Sequence, residues 1–246
     1  MPDWLVPVLI SPFIGSFLGV LIRRLPAGRT VAFGRSHCES CGKALGPVEL
    51  VPIFSYLALR GLCRGCGAAI GRFHPAVELA ALAVAVWAAC LDDGARLWAD
   101  CLLGWVLLAL AWIDAREMIL PDILTLPLAL AGLAYSVVFD SAHIFDHAAG
   151  AAIGWAIFWA LGRLYRAVRG RDGLGEGDAK LLAASGAWVT WTGLGTVMLA
   201  GAVLGLVLAA AGRLRGGRLT VATVVPFGLP LAFATWLVWL YGPGLL

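Results

Sequence analysis

The sequence predicts an all-α polytopic membrane protein of about eight transmembrane helices, with a cysteine-bearing cytoplasmic loop between the first two. Three observations lead there. Of the 246 residues, 61% are hydrophobic and 13% are charged, and the mean hydropathy is +0.89. Soluble domains are about half apolar and about a quarter charged, so this much apolar surface calls for lipid as its solvent. Apolar runs of bilayer length recur near 4–22, 73–91, 97–113, 121–139, 147–165, 179–193, 195–212 and 221–241. The basic residues, finally, fall on one side of the membrane when these runs are threaded through it.

The first run has no positive segment before it, and Arg23 and Arg24 follow it. That is the reverse of a secretory signal, so residues 4–22 read as a retained span with the N-terminus outside. The run near 179–193 falls short of the roughly 20 residues a span needs, and its boundary with the next run is set by Gly193 and Gly195. With both termini outside, the cytoplasmic segments are 23–72, 114–120, 163–180 and 213–218. They hold every Lys and Arg except Arg96, while Asp92, Asp93, Asp140 and Asp146 lie in the outer loops. The eleven tryptophans suit the interfacial belts. The expected organisation is a first helix at 1–22, a loop module at 23–72 and a seven-helix membrane domain at 73–246. The basic residues are not interleaved with an aromatic platform, so the expected partner is the lipid bilayer and not nucleic acid.

The loop carries Cys38-Glu-Ser-Cys41 and Cys63-Arg-Gly-Cys66, each pair followed by a glycine, Gly42 and Gly67. Such short loops let two thiolates grip one tetrahedral ion, and the two pairs read as the knuckles of a zinc ribbon. Redox chemistry or disulfides are the rival reading; a reducing cytosol favours metal. Four thiolates leave no open coordination position, so the expected role of zinc is structural. His37 reads as a neighbour of the knuckle and not a ligand. Cys90 and Cys101 read as small apolar filler, with a disulfide as the alternative.

Acids at the edges of spans are costly and therefore informative. Asp114 ends the third span, Asp122 follows Pro121 at the start of the fourth, and Asp178 opens the sixth in Gly173-Leu-Gly175-Glu-Gly177-Asp178-Ala-Lys180. The topology puts all three at the cytoplasmic face, where Asp114 and Asp178 can converge at one depth. Two carboxylates in contact share a proton, which suits peptide hydrolysis: one takes a proton from water while the other polarises the scissile carbonyl. The glycines at 173, 175 and 177 would let a substrate backbone approach. Plainer readings stand beside this one. Asp122 reads as a helix N-cap, Asp178 could cap the sixth span, Asp114 could pair with Arg116 or Lys180, and Glu78 could pair with a loop arginine. An ion-coupled transporter and a zinc-ribbon scaffold without chemistry are the alternative function classes. Transport sites lie near the midplane within repeats, and neither feature is visible here.

Further motifs run along the chain: Gly15-Ser-Phe-Leu-Gly19 with Arg24-Leu-Pro26, Glu49-Leu-Val-Pro-Ile-Phe-Ser-Tyr56, the two CxxC pairs and Pro75-Ala-Val-Glu78. They continue through Asp114, Leu120-Pro121-Asp122, Gly175-Glu-Gly177-Asp178-Ala-Lys180 and Val225-Pro-Phe-Gly228. With these motifs, along nearly its whole length the chain resembles the prepilin peptidases, the type IV leader peptidases of the GxGD aspartyl protease group. The resemblance implies cleavage of the basic leader from type IV prepilins and type II secretion pseudopilins, after a glycine, at the cytoplasmic edge of the bacterial inner membrane. It implies Asp114 and Asp178 as the catalytic pair, with Gly175, Gly177, Lys180 and Asp122 in support. It further implies methylation of the new N-terminal amine with S-adenosylmethionine, because members carrying the cysteine loop are often bifunctional. Two positions depart from the family pattern: Gly19 stands where asparagine is usual, and His74 where an aromatic residue precedes the proline.

Overall fold

The computed structural model of the chain describes residues 2–31, 34, 36–170, 175–214 and 226–245. Gly173, Val225 and the opening residues of the last expected span lie outside them. Among the described residues there is no strand, only two isolated antiparallel bridges. The helices are α1 (Leu5–Arg24), the short α2 (Phe54–Ala58), α3 (Phe73–Ala89), α4 (Gly94–Glu117), α5 (Asp122–Phe139), α6 (Ile144–Arg169), α7 (Glu176–Leu214) and α8 (Gly228–Tyr241). Five stretches among the described residues, in α1, α4, α5, α6 and α7, are long and apolar enough to cross a membrane, while α3 and α8 are shorter apolar helices.

Helix ends follow local chemistry. The fixed φ of Pro121 delivers the chain into α5 at Asp122, and α6 stops at Gly170, whose φ of 67° is the left-handed conformation common just past a helix end. Some helices extend the expected spans by up to about a turn, as Gly94–Glu117 against 97–113, while α3, Phe73–Ala89 against 73–91, is shorter.

The expected boundary at Gly193 and Gly195 is displaced. Thr190 carries φ 64° and ψ 176°, a non-helical conformation that breaks α7. The packing of α8 shows that the chain reverses there. Before Thr190, Ser185 bonds Thr235 and Trp188 packs edge-on to Trp239, so positions rise together along the two helices. After it, Thr196 bonds the Pro243 carbonyl and Gly201 lies against Leu231, so they run opposite. With its arms counted separately, α7 brings the long helices among the described residues to eight. The glycines could not mark the break, because it is fixed from outside. His147 Nδ1 bonds the Ala187 carbonyl at 2.8 Å, and Gly150 meets Gly186 so closely that a Cβ on either would lie within 2.4 Å of the other's backbone oxygen.

The chain divides into two compact units, Met1–Trp105 and Val106–Leu246, with α4 beginning in one and ending in the other. In the first, α1 packs on α3: a Cβ on Gly15 would stand 2.6 Å from the Glu78 Cα. Trp105 adds a hydrogen bond from its indole N–H to the Ala81 carbonyl at 3.0 Å. In the second, α7 is sandwiched by α5, α6 and α8, with Trp188, Leu181 and Leu182 fully buried.

Candidate active site and metal centre

The second unit assembles its carboxylate site from three helix ends. Asp114 lies one turn from the end of α4 and is 5% exposed. Its Oδ2 accepts the backbone N–H of Leu229 at 2.8 Å, and the carboxylate also takes the N–H of Gly228, so the first turn of α8 closes on it. Asp178 is the third residue of α7, and its carboxylate takes the N–H of Gly175 just ahead of the helix. In return its own N–H donates to the Gly175 carbonyl at 3.1 Å. This reciprocal turn satisfies N–H groups a helix start leaves open. The two carboxylates are near enough to feel each other's charge. Sequence reading placed them at one depth 64 positions apart, and the structure sets both at helix ends of one unit, within electrostatic reach of each other.

Leu120 holds the helix ends in register. A Cβ on Gly177 would fall 2.9 Å from the Leu120 Cβ, and one on Gly228 would fall 3.1 Å from its Cδ1. The leucine is 8% exposed, wedged between the starts of α7 and α8. This corrects one expectation: the space left by Gly177 receives Leu120 and is not an open approach for substrate. Gly175 is exposed.

Three plainer readings are also corrected. Asp122 does not cap α5: it is the first helical residue, Pro121 occupies the cap position, and no side-chain cap bond forms. Its carboxylate instead receives the Lys180 ammonium at 2.7 and 2.9 Å, because the first turns of α5 and α7 face each other. Lys180 is thereby committed to Asp122 and not to Asp114. Glu78, 6% exposed in α3, takes the Ile53 N–H at 2.8 Å and the Ser16 hydroxyl, and among the described residues no loop arginine pairs with it. Sequence reasoning gave no role to Leu120, Gly228 or Leu229. The available signal was the Pro-Phe-Gly sequence ahead of an apolar run, which marks a helix start but not what the start touches.

In the first unit Cys38, Cys41, Cys63 and Cys66 converge, with all four sulfurs within 4.8 Å of one another and Cys38 and Cys66 at 4.0 Å. A tetrahedron with ~2.3 Å zinc–sulfur bonds has an edge of about 3.8 Å, so the set can hold a metal ion. The two knuckles repeat bond for bond. Cys38 N–H donates to Lys43 and Gly42 N–H to Cys38, as Cys63 N–H donates to Ala68 and Gly67 N–H to Cys63. Gly42 and Gly67 both have φ 71°, where a side chain would be strained. The bridges His37–Ala44 and Leu62–Ala69 close the two turns, and the metal-capable cluster consists of the four cysteines without His37. The Cys41 backbone N–H, followed by that of Ser40, pulls the Cys38 thiol down to about 6, towards the thiolate that metal requires. Cys90 and Cys101 are free thiols, Cys101 buried as filler and Cys90 exposed.

Beside the knuckles lies a cavity of about 360 Å³ whose wall includes Arg24, Arg29, Tyr56, Arg64, His74 and Glu49. Glu49 is anchored by the Gly46 N–H at 2.8 Å and the Lys43 ammonium at 3.2 Å, and Arg23 pairs with Glu39 on the same wall.

Residues 9–91 match the bacterial peptidase A24 N-terminal domain, and residues 101–210 match the type IV leader peptidase family. Among curated relatives, the prepilin leader peptidase/N-methyltransferase of Aeromonas salmonicida is 36% identical, covering 95% of this chain and 89% of the relative. The protein of that name from Pseudomonas aeruginosa is 36% identical over 97% and 90%, and that from Burkholderia pseudomallei 37% identical over 92% and 81%. No solved structure matches the chain.

Proposed function

The chain belongs to the type IV leader peptidase family, and from that premise we propose that it is a membrane aspartyl endopeptidase whose catalytic pair is Asp114 and Asp178. Its substrates are type IV prepilins and type II secretion pseudopilins, cut after the glycine that ends their basic leader. What supports this reading is that Asp114, one turn from the end of α4, and Asp178, in the first turn of α7, feel each other's charge, and that each is anchored by backbone N–H groups. The chain is accordingly an inner-membrane protein with both termini periplasmic and the pair facing the cytoplasm. The working division is the first helix at 1–22, the metal loop at 23–72 and the membrane protease at 73–246.

The chemistry follows from the pair sharing one proton. The ionised carboxylate removes a proton from a water molecule, whose oxygen adds to the scissile carbonyl carbon. The protonated partner gives its proton to the carbonyl oxygen, and the tetrahedral adduct collapses as the leaving amine takes up a proton. Lys180 and Asp122 tie α7 to α5 at the level of the pair and keep Asp178 in place. Gly175 and Gly177 support the turn that carries Asp178.

Cys38, Cys41, Cys63 and Cys66 would hold zinc as a structural ion with no open position for substrate. The cavity beside them suits S-adenosylmethionine, which supplies the methyl group for the new N-terminal amine. Arg24, Arg29 and Arg64 can take its carboxylate, Glu49 its hydroxyl or amino groups, and the Tyr56 ring its adenine.

The test is leader removal from a tagged prepilin, followed by mass spectrometry, with wild type, Asp114→Asn and Asp178→Asn at equal membrane levels. Each asparagine variant is expected to lose at least about a hundredfold in rate, the scale of one general acid or base. Asp122→Asn is expected to lose less than either. Cleavage at the wild-type rate in Asp114→Asn or Asp178→Asn would sink the pair. A gain of one methyl in the wild-type product reads the second activity in the same spectrum.

A further inference from the structure

Resting on the assignment of Asp114 and Asp178 as the catalytic pair, we propose that the backbone N–H groups of Gly228 and Leu229 position Asp114 for catalysis. The first turn of α8 would then be part of the protease machinery and not only its packing.

The argument starts from helix ends. Asp178 sits in the first turn of its own helix, where N–H groups and the positive end of the dipole welcome a carboxylate. Asp114 has the opposite situation, one turn from the end of α4, where unsatisfied carbonyls disfavour negative charge. It needs donors from elsewhere, and α8 supplies them. A helix start leaves its first few N–H groups open. Here Pro230 has no N–H, and Leu231 donates to the Phe227 carbonyl at 3.1 Å, which leaves Gly228 and Leu229. Both donate to Asp114. The sequence Gly-Leu-Pro thus commits the free donors of this turn to one carboxylate.

The absence of a side chain at Gly228 belongs to the same device. A Cβ there would stand 2.8 Å from the Asp114 Cγ and 2.9 Å from Oδ2. Glycine lets the helix start approach near enough to donate two hydrogen bonds. Two donors fix the rotation of the carboxylate and so the direction its free oxygen lone pairs face.

The test compares full-length Leu229→Pro and Leu229→Ala in detergent, with kcat and KM measured on a prepilin. Proline is tolerated in the first turn of a helix and removes the N–H along with the leucine side chain; alanine removes the side chain and keeps the N–H. The proline variant is expected to have a kcat about 10–100-fold below the alanine variant, the value of a hydrogen bond to a charged group, with KM within about threefold. Equal kcat in the two, or a raised KM with unchanged kcat, would overturn the proposal. Gly228→Ala gives an independent reading, because it keeps both donors yet places a methyl against the carboxylate. Its kcat should fall on the same scale with KM held, and a wild-type kcat there would likewise overturn the proposal. Asp114→Asn separates the two levels. If that variant still cleaves, the catalytic pair itself is wrong; if it is dead while Leu229→Pro matches Leu229→Ala, only the positioning role fails.

Discussion

Gly19 and His74 lie face to face: a Cβ on Gly19 would stand 2.9 Å from the His74 Nδ1 and 3.4 Å from its Cε1. Sequence reading singled out both positions as departures from the resembled pattern, one in α1 and the other in the first turn of α3. The imidazole fills the space a side chain at 19 would need, so the departures form one packed unit beside the cavity that His74 lines.

Their coupling is measurable. Gly19→Asn is expected to destabilise the detergent-solubilised protein by about 1–3 kcal/mol, the usual cost of overpacking a filled site. His74→Ala in the same chain should return most of that loss. The check is a thermal-unfolding double-mutant cycle, and additive losses would mean that the two side chains do not compete for space.

The cysteine set makes a stoichiometric prediction. The purified protein should carry about one zinc per chain by elemental mass spectrometry, and Cys38→Ser or Cys63→Ser should lower that content sharply. Because the loop is small, loss of the metal should also make residues 36–72 markedly more susceptible to protease. A metal-free wild type with a protease-resistant loop would contradict the assignment.

Asp140 gives a pH dependence whose sign is fixed by its partners. At the end of α5 it accepts His143 at 2.7 Å and His147 at 3.3 Å, and these hydrogen bonds, His143 first, hold its carboxyl below the usual range. A group depressed in the folded state stabilises above its unfolded value, about 3.9, and that contribution is lost as pH falls through the lower folded value. Asp140→Asn should therefore lower the melting temperature at pH 6, and the gap to wild type should close as the pH is taken below about 4. A gap that is constant with pH would mean that the charge is not what matters.

Composition, periodicity and spacing specify part of this protein without any knowledge of its packing. Apolar runs of bilayer length, separated by basic or acidic loops, specify helices in lipid whatever their neighbours are. Two CxxC-Gly turns specify two thiolate knuckles, because the geometry lies within a few residues, and both formed with the same bonds. The pairing of Asp114 with Asp178 was legible only as a shared depth. Tertiary structure decided what depends on which helix end meets which. Thr190 became the reversal of α7 through packing against Gly150 and the bond from His147, which no local signal at Gly193 or Gly195 could reveal. Asp122 looked like a cap from its neighbours in sequence, yet Lys180, 58 positions away, claimed it. Gly177 looked like room for substrate until Leu120 filled it, and the N–H groups that hold Asp114 come from 115 positions along the chain. Backbone donors carry no residue identity, so nothing in the letters Gly228 and Leu229 could announce them. Only the packed helices put those donors against a carboxylate.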